Sequence, residues 1–190
     1  MANLKLSCDS PLTPHPSLLT LLPQGERGVL IQSLRLRYEP CPADIEQVAA
    51  LLDATRFFSP EETAVGVELV AERLQKGQAS GYEFVLAEQE RQLVGYTCFG
   101  PIPCTRGSYD LYWIAVHPGQ QGRGIGALLL AHSEQRIVQA GGRRVYIETS
   151  ARPQYHPTRA FYQRCGYRAE ALLADFYAPG DGKIIYGKAL

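Results

Sequence analysis

The stretch Ser108-Tyr109-Asp110-Leu111-Tyr112-Trp113-Ile114-Ala115-Val116-His117-Pro118-Gly119-Gln120-Gln121-Gly122-Arg123-Gly124-Ile125-Gly126 decides the fold. Its first nine residues, Ser108 to Val116, are nearly continuous apolar material, the pattern of a central strand buried on both faces. His117-Pro118 breaks that strand, and glycines then recur at 119, 122, 124 and 126, running straight into a helical pattern from about Arg123 to Ala140. Such a turn points several backbone N–H groups into one hollow with no Cβ in the way, and the helix adds the positive end of its dipole. Arg123 can contribute a formal charge to a bound diphosphate. The plainer reading is a glycine-rich helix start that packs closely and binds nothing. Two familiar phosphate loops are excluded by spacing: no Gly-x-x-x-x-Gly-Lys-Ser/Thr is present, and Gly-x-Gly-x-Gly replaces the dinucleotide Gly-x-Gly-x-x-Gly.

Outward from this centre, Gly141-Gly142 ends the helix and Arg143 to Thr149 reads as the next strand. Upstream, Val29 to Tyr38 alternates as a strand. Pro42-Ala43-Asp44 opens a helix with apolar residues at helical spacing (Ile45, Val48, Ala49, Leu51, Leu52). Ser59-Pro60-Glu61-Glu62 starts a second helix, expected to run to Lys76 and stop at Gly77. Strands follow at Tyr82 to Ala87 and Gln92 to Phe99. Downstream, a short helix after Pro157 carries Phe161 and Tyr162 and stops at Gly166. Tyr167 to Ala178 and Lys183 to Lys188 form a closing pair turned by Pro179-Gly180-Asp181-Gly182. The sum is a mixed α/β, α+β-like fold: a largely antiparallel sheet of six to seven strands flanked by helices. Residues 1–30, with Pro11, Pro14, Pro16 and Pro23, read as an irregular arm, and 31–190 as one domain.

Composition narrows the function. The 190 residues carry 19 Lys plus Arg and 19 Asp plus Glu, a formal net charge of zero, which disfavours a nucleic-acid partner. No apolar run approaches a membrane span, and the N-terminus lacks a secretory pattern, so a cytoplasmic location is expected. Five scattered cysteines (Cys8, Cys41, Cys98, Cys104, Cys165) form no zinc-ligand spacing and predict no metal; they are expected to be reduced and mostly buried.

Two blocks then carry a family resemblance. Gln121-x-x-Gly124-x-Gly126, behind an apolar strand and Val116-x-Pro118, resembles the acyl-CoA-binding motif of the GNAT superfamily of N-acetyltransferases. Ala160-Phe161-Tyr162-Gln163-Arg164-Cys165-Gly166-Tyr167 resembles that family's Phe-Tyr-x-x-x-Gly-Phe/Tyr element, and the expected intervening strand lies between them. The resemblance implies acetyl-CoA as co-substrate. Backbone groups around Ile114, Ala115 and Val116 would pair with the pantetheine arm, and N–H groups from Gln121 through Gly122, Arg123, Gly124 and Ile125 to Gly126 would hold the pyrophosphate. Where many members carry an Asn near the next helix start, this chain has Tyr155, which leaves that contact unassigned.

By the same resemblance, Tyr162 stands where many members have the tyrosine that protonates the departing thiolate. A core aromatic beside Phe161 is the alternative. Asp110 matches a position where some members place a basic group, and an exposed strand-end acid is equally consistent. Glu148 competes as the base, and Tyr112 on the face of Asp110 would line the acceptor pocket. Tyr109, Trp113 and Tyr155 hint at an enclosed aromatic site. His117, His132 and His15 have no evident partner in the chemistry, and direct transfer in this superfamily disfavours an acyl-enzyme at Cys165. The implied function is acetyl transfer to a primary amine, on a small molecule, amino acid or peptide. The alternative is a non-catalytic acyl-CoA-binding regulatory or interaction module. An exposed closing hairpin could pair two copies as a homodimer.

Overall fold

A computed structural model describes residues 34–190. The expected arm over 1–30 lies outside the described residues, as does the first part of the strand expected from Val29. Seven strands form one sheet in the order β1-β2-β3-β4-β5-β7-β6. They are β1 (Arg35–Arg37), β2 (Glu83–Gln89), β3 (Gln92–Pro101), β4 (Ser108–Val116), β5 (Arg144–Ser150), β6 (Arg168–Ala178) and β7 (Asp181–Ala189). Every pairing is antiparallel except β4 with β5, which is parallel. That parallel pair needs a crossover, and the helix after the glycine turn supplies it.

Helices cover both faces: α1 (Asp44–Thr55) and α2 (Pro60–Lys76) on one, α3 (Ile125–Gln139) and α4 (His156–Arg164) on the other. Alternation along β2 divides the core cleanly. Val85 and Ala87 pack with Leu129, Leu130 and Ile137 of α3, while Phe84 and Leu86 pack with Val48, Leu51 and Leu52 of α1. The α2 start follows its sequence signal: the Ser59 hydroxyl accepts from Glu62 N–H (3.2 Å), and Ser59 N–H donates to the Glu62 carboxylate (2.8 Å).

One buried charge ties β1 to α1. The Asp44 carboxylate is fully buried and accepts from Arg37 Nη2 (2.7 Å), Arg37 Nη1 (3.1 Å) and Cys41 N–H (2.7 Å). Asp44→Ala is expected to destabilise the protein by about 3 kcal/mol, because it removes the fully buried partner of Arg37, which among the described residues keeps only Glu88 (2.7 Å) and the Glu39 carbonyl, and strands the Cys41 N–H donor. Urea denaturation checks this, and a loss below about 1 kcal/mol would show the pair to be dispensable.

Three expectations need correction. β4 is the middle strand but is not buried on both faces: Leu111 and Ala115 are buried, whereas Tyr112 is 40% exposed. The cysteines are not mostly buried; among the described four, Cys98 is buried, Cys165 half-buried, and Cys41 and Cys104 exposed. The closing turn is tighter than expected, since Ala178 already pairs with Asp181, and Asp181 and Gly182 are buried in β7.

Candidate active site

The partial exposure of β4 has a structural cause. Its pairing with β5 runs from Ser108↔Arg144 to Leu111↔Ile147 and stops there, although β4 continues to Val116 and β5 to Ser150. Beyond that point the two strands part. The split coincides with a bulge, because Cys98 of β3 faces Trp113 and the next residue, Phe99, faces Leu111, leaving Tyr112 as the extra residue. His117 N–H bonds Val94 O of β3 (2.9 Å). Strand alternation therefore spends Ala115's backbone groups on Tyr96 and turns those of Ile114 and Val116 toward the gap. Of the three residues expected to offer backbone bonds, Ala115 is thus committed within the sheet, and Ile114 and the N–H of Val116 are open.

The glycine turn closes one end of this gap. Gly122 and Gly124 adopt φ of 75° and 85°, left-handed values that only glycine reaches at low cost. Gly124 caps α3 without a side-chain bond. Gln121 N–H is bonded to Pro118 O (3.3 Å), so it is not free as expected, and the Gln121 side-chain amide instead donates to Val116 O (3.1 Å). From Gly122 to Gly126 no backbone N–H has an internal partner among the described residues. Five open donors at a helix start form an anion-binding hollow. Arg123 stands exposed beside it, bonded to Gln120 Oε1 (3.2 Å).

Between the parted strands lies a cleft of about 660 Å³, within the range of small-molecule sites. Tyr162 of α4 lines it while only 4% exposed, packed by Tyr167 and Tyr186 at ring distances of 6.1 and 5.9 Å. Its hydroxyl has no hydrogen-bond partner among the described residues, and burial raises its pKa well above the usual phenol value. Burial therefore keeps the hydroxyl in its protonated form. Glu148 of β5 also lines the cleft, with Lys183 Nζ at 2.6 Å. Asp110 does not line it. The Asp110 carboxyl sits half-buried nearby, its pKa raised by burial and by Glu148 and lowered by Lys183.

Other expectations separate here. Tyr112, Trp113 and Tyr155 line the cleft, but Tyr109 packs with the α3-side core instead. His117 Nδ1 accepts from Gly119 N–H (3.2 Å) and His132 Nδ1 meets the Tyr38 hydroxyl (3.1 Å), so neither faces the cleft. His15 lies outside the described residues. Cys165 is absent from the cleft wall, and its thiol is raised by burial first and by Glu134 next, which weakens it as a nucleophile.

The sequence missed a second group of cleft residues: Phe57, Phe58, Glu62, Ser150, Tyr177 and Asp181. They come from the α1–α2 junction, the end of β5 and the β6–β7 hairpin. The adjacent pair Phe57-Phe58 just before the Ser59 cap was the one local signal available. Phe58 meets Trp113 edge-on at 4.8 Å, and Phe57 meets Tyr155 likewise at 4.8 Å. Asp181 holds the Ser150 hydroxyl at 2.5 Å and Arg152 Nε at 3.0 Å.

The comparisons with known proteins show which class of protein carries this parted sheet and helix-start hollow. Residues 47–167 match the sequence model of the Acetyltransferase (GNAT) family. The protein belongs to that family of acetyltransferases. A crystal structure from Desulfovibrio desulfuricans, assigned to the GNAT acetyltransferases, is 46% identical, with a TM-score of 0.81 over 82% of this chain and 98% of that one. An aminoglycoside 6'-N-acetyltransferase from Enterococcus faecium is 19% identical (TM-score 0.66, covering 82% of this chain and 96% of that one) and shares the fold. So does the ribosomal-protein-S18-alanine N-acetyltransferase of Escherichia coli, at 18% identity (TM-score 0.64, covering 82% and 93%). No curated relative matches the sequence. The family uses acetyl-CoA, and one aminoglycoside 6'-N-acetyltransferase of the same fold is complexed with coenzyme A. Among the described residues, no helix is long and apolar enough to cross a membrane.

Proposed function

We propose that this protein transfers the acetyl group of acetyl-CoA to a primary amine by direct attack, in the cytoplasm and without a metal. The observation that carries the reading is the joining of two features: the gap between β4 and β5 beyond Leu111↔Ile147, and the five open N–H groups of Gly122 to Gly126 at its end. The residues present fit the co-substrate. Gly122 to Gly126 and Arg123 would hold the diphosphate, Ile114 and Val116 the pantetheine amides, and Gln121 would fix the Val116 carbonyl.

When bound, acetyl-CoA supplies the activated acyl group. The chain's own residues do the rest. Ile114 N–H donates to the thioester oxygen as negative charge grows there. Glu148 accepts the proton that the attacking ammonium must lose, since only a neutral amine carries a free electron pair. As the C–N bond forms and the C–S bond breaks, the electron pair passes to sulfur, and Tyr162 donates its proton to it. Tyr162 is regained from the proton released at nitrogen. Asp110, standing near Glu148, keeps a negative field on the amine side.

Acetyl-CoA at a hundredfold excess over its Kd should stabilise the protein by about 2.7 kcal/mol, read as a rise in Tm. Thiol release should then require an added amine. Unchanged melting at saturating acetyl-CoA would contradict the site, and thiol release equal with and without amine would contradict the acceptor class.

A further inference from the structure

No hydrogen bond from its own hydroxyl places Tyr162 in the cleft. That oxygen has no partner among the described residues, so its position follows from ring packing and from where α4 sits. α4 is weakly fixed from within. It has nine residues, Tyr162 is its buried one, and Tyr155 ahead of it makes no side-chain cap bond. Helices this short depend on tertiary contacts.

Arg159 supplies such a contact. Its half-buried guanidinium forms no ion pair among the described residues; instead Nη1 donates to Ser150 O (3.0 Å) and to Arg152 O (2.8 Å). One nitrogen thus ties the middle of α4 to both ends of the turn that follows β5. That turn is itself braced from β7. Ala151 N–H donates to Gly182 O (2.7 Å), and the Ser150 hydroxyl donates to the Asp181 carboxylate. Arg152 Nε reaches the other Asp181 oxygen (3.0 Å), and Arg152 N–H donates to Ser150 Oγ (3.0 Å). Asp181 is only 7% exposed. Pairing between β4 and β5 has ended well before this turn, so β7 is the strand that steadies it. Ser150, Arg152 and Asp181 line the same cleft as Tyr162.

We infer that Arg159 is a positioning residue for the transfer: by bridging the Ser150 and Arg152 carbonyls, with Asp181 bracing the turn that carries them, it sets where the Tyr162 hydroxyl stands in the cleft. This rests on the acetyl-transfer reading above. Arg159 does not itself line the cleft, so it acts through α4. A misplacement of about 1 Å in a reacting group costs about 100-fold in rate. A guanidinium suits the task, because its planar nitrogens hold their N–H donors in fixed directions.

The first test reads placement without turnover. With 3-fluorotyrosine in place of Tyr162, fluorine NMR of the full chain, free and CoA-saturated, should give one sharp line. Arg159→Met should shift or broaden that line while calorimetric CoA affinity changes by less than about threefold. The second test follows CoA release from saturating acetyl-CoA with hydroxylamine as acceptor, a small nucleophile uncharged at neutral pH. Arg159→Met should slow release by about tenfold, and Arg159→Lys, which keeps a donor, should restore it to within about threefold. Asp181→Asn, which leaves α4 untouched and keeps an oxygen for Ser150, should slow release by about threefold. In a Tyr162→Phe background each of these losses should shrink to less than about twofold, since both residues act through that phenol. An unmoved fluorine line in Arg159→Met, or a full loss persisting in the Tyr162→Phe background, would overturn the inference. Failure of the unaltered protein to bind CoA would instead sink the acetyl-transfer reading itself.

Discussion

Gly124→Glu is expected to reduce acetyl-CoA affinity by at least about 100-fold, or 2.7 kcal/mol. Two effects act together. Gly124 caps α3 at a φ of 85°, so any side chain there resists the conformation that aims the neighbouring N–H groups outward. The carboxylate also enters the hollow proposed to hold the diphosphate, and like charges about 4 Å apart repel by several kcal/mol at a partly shielded surface. Gly124→Asn separates the effects. Asn tolerates left-handed backbone better than other side chains and brings no charge, so it should retain most of the binding. Isothermal titration with CoA reads both variants. Full affinity in Gly124→Glu would mean that the phosphates lie elsewhere.

The second large effect belongs to Tyr162. Tyr162→Phe should lower kcat by about 100-fold, the lower range for losing a positioned proton donor, while KM for acetyl-CoA changes by less than about threefold. The ring contacts with Tyr167 and Tyr186 persist in phenylalanine, so folding should survive. The raised phenol also fixes the pH behaviour. Burial holds the hydroxyl protonated beyond its ordinary value, so activity should not fall through deprotonation of Tyr162 at about pH 9 to 10, where a free phenol begins to ionise. Unchanged kcat in Tyr162→Phe would reduce Tyr162 to a core aromatic.

Much of this arrangement was legible in the sequence because its signals are local. Ser59-Pro60-Glu61-Glu62 and Gly77 mark the ends of α2, and Ser108 to Val116 form β4 with the bounds the apolar run suggests. The glycine turn is local too, since left-handed backbone at Gly122 and Gly124 is written as glycine. Most of what escaped depends on partners distant in the chain. The parting of β4 from β5 appears in neither strand's composition; it arises where pairing ends at Leu111↔Ile147 and Tyr112 bulges. Ala115 was expected from the family resemblance to offer its backbone to the pantetheine arm with Ile114 and Val116, but alternation commits that backbone to β3. Gln121 escaped for a local reason: it spends its N–H on Pro118, three residues back, and its side chain on Val116, five back, a turn geometry that the glycine spacing does not reveal. The far wall of the cleft was least legible. Phe57 and Glu62 flank the start of α2 and Tyr177 lies far along the chain on β6, and only the fold brings them to one cleft.

Backbone amide hydrogen exchange, followed residue by residue with and without CoA, is the sharpest test of the coenzyme cradle. Binding should slow exchange at Ile114, Val116 and the run from Gly122 to Gly126, while Ala115, already bonded within the sheet, stays as slow as before. Protection confined to other segments, with the Gly122 to Gly126 amides exchanging as fast as in the free protein, would contradict it.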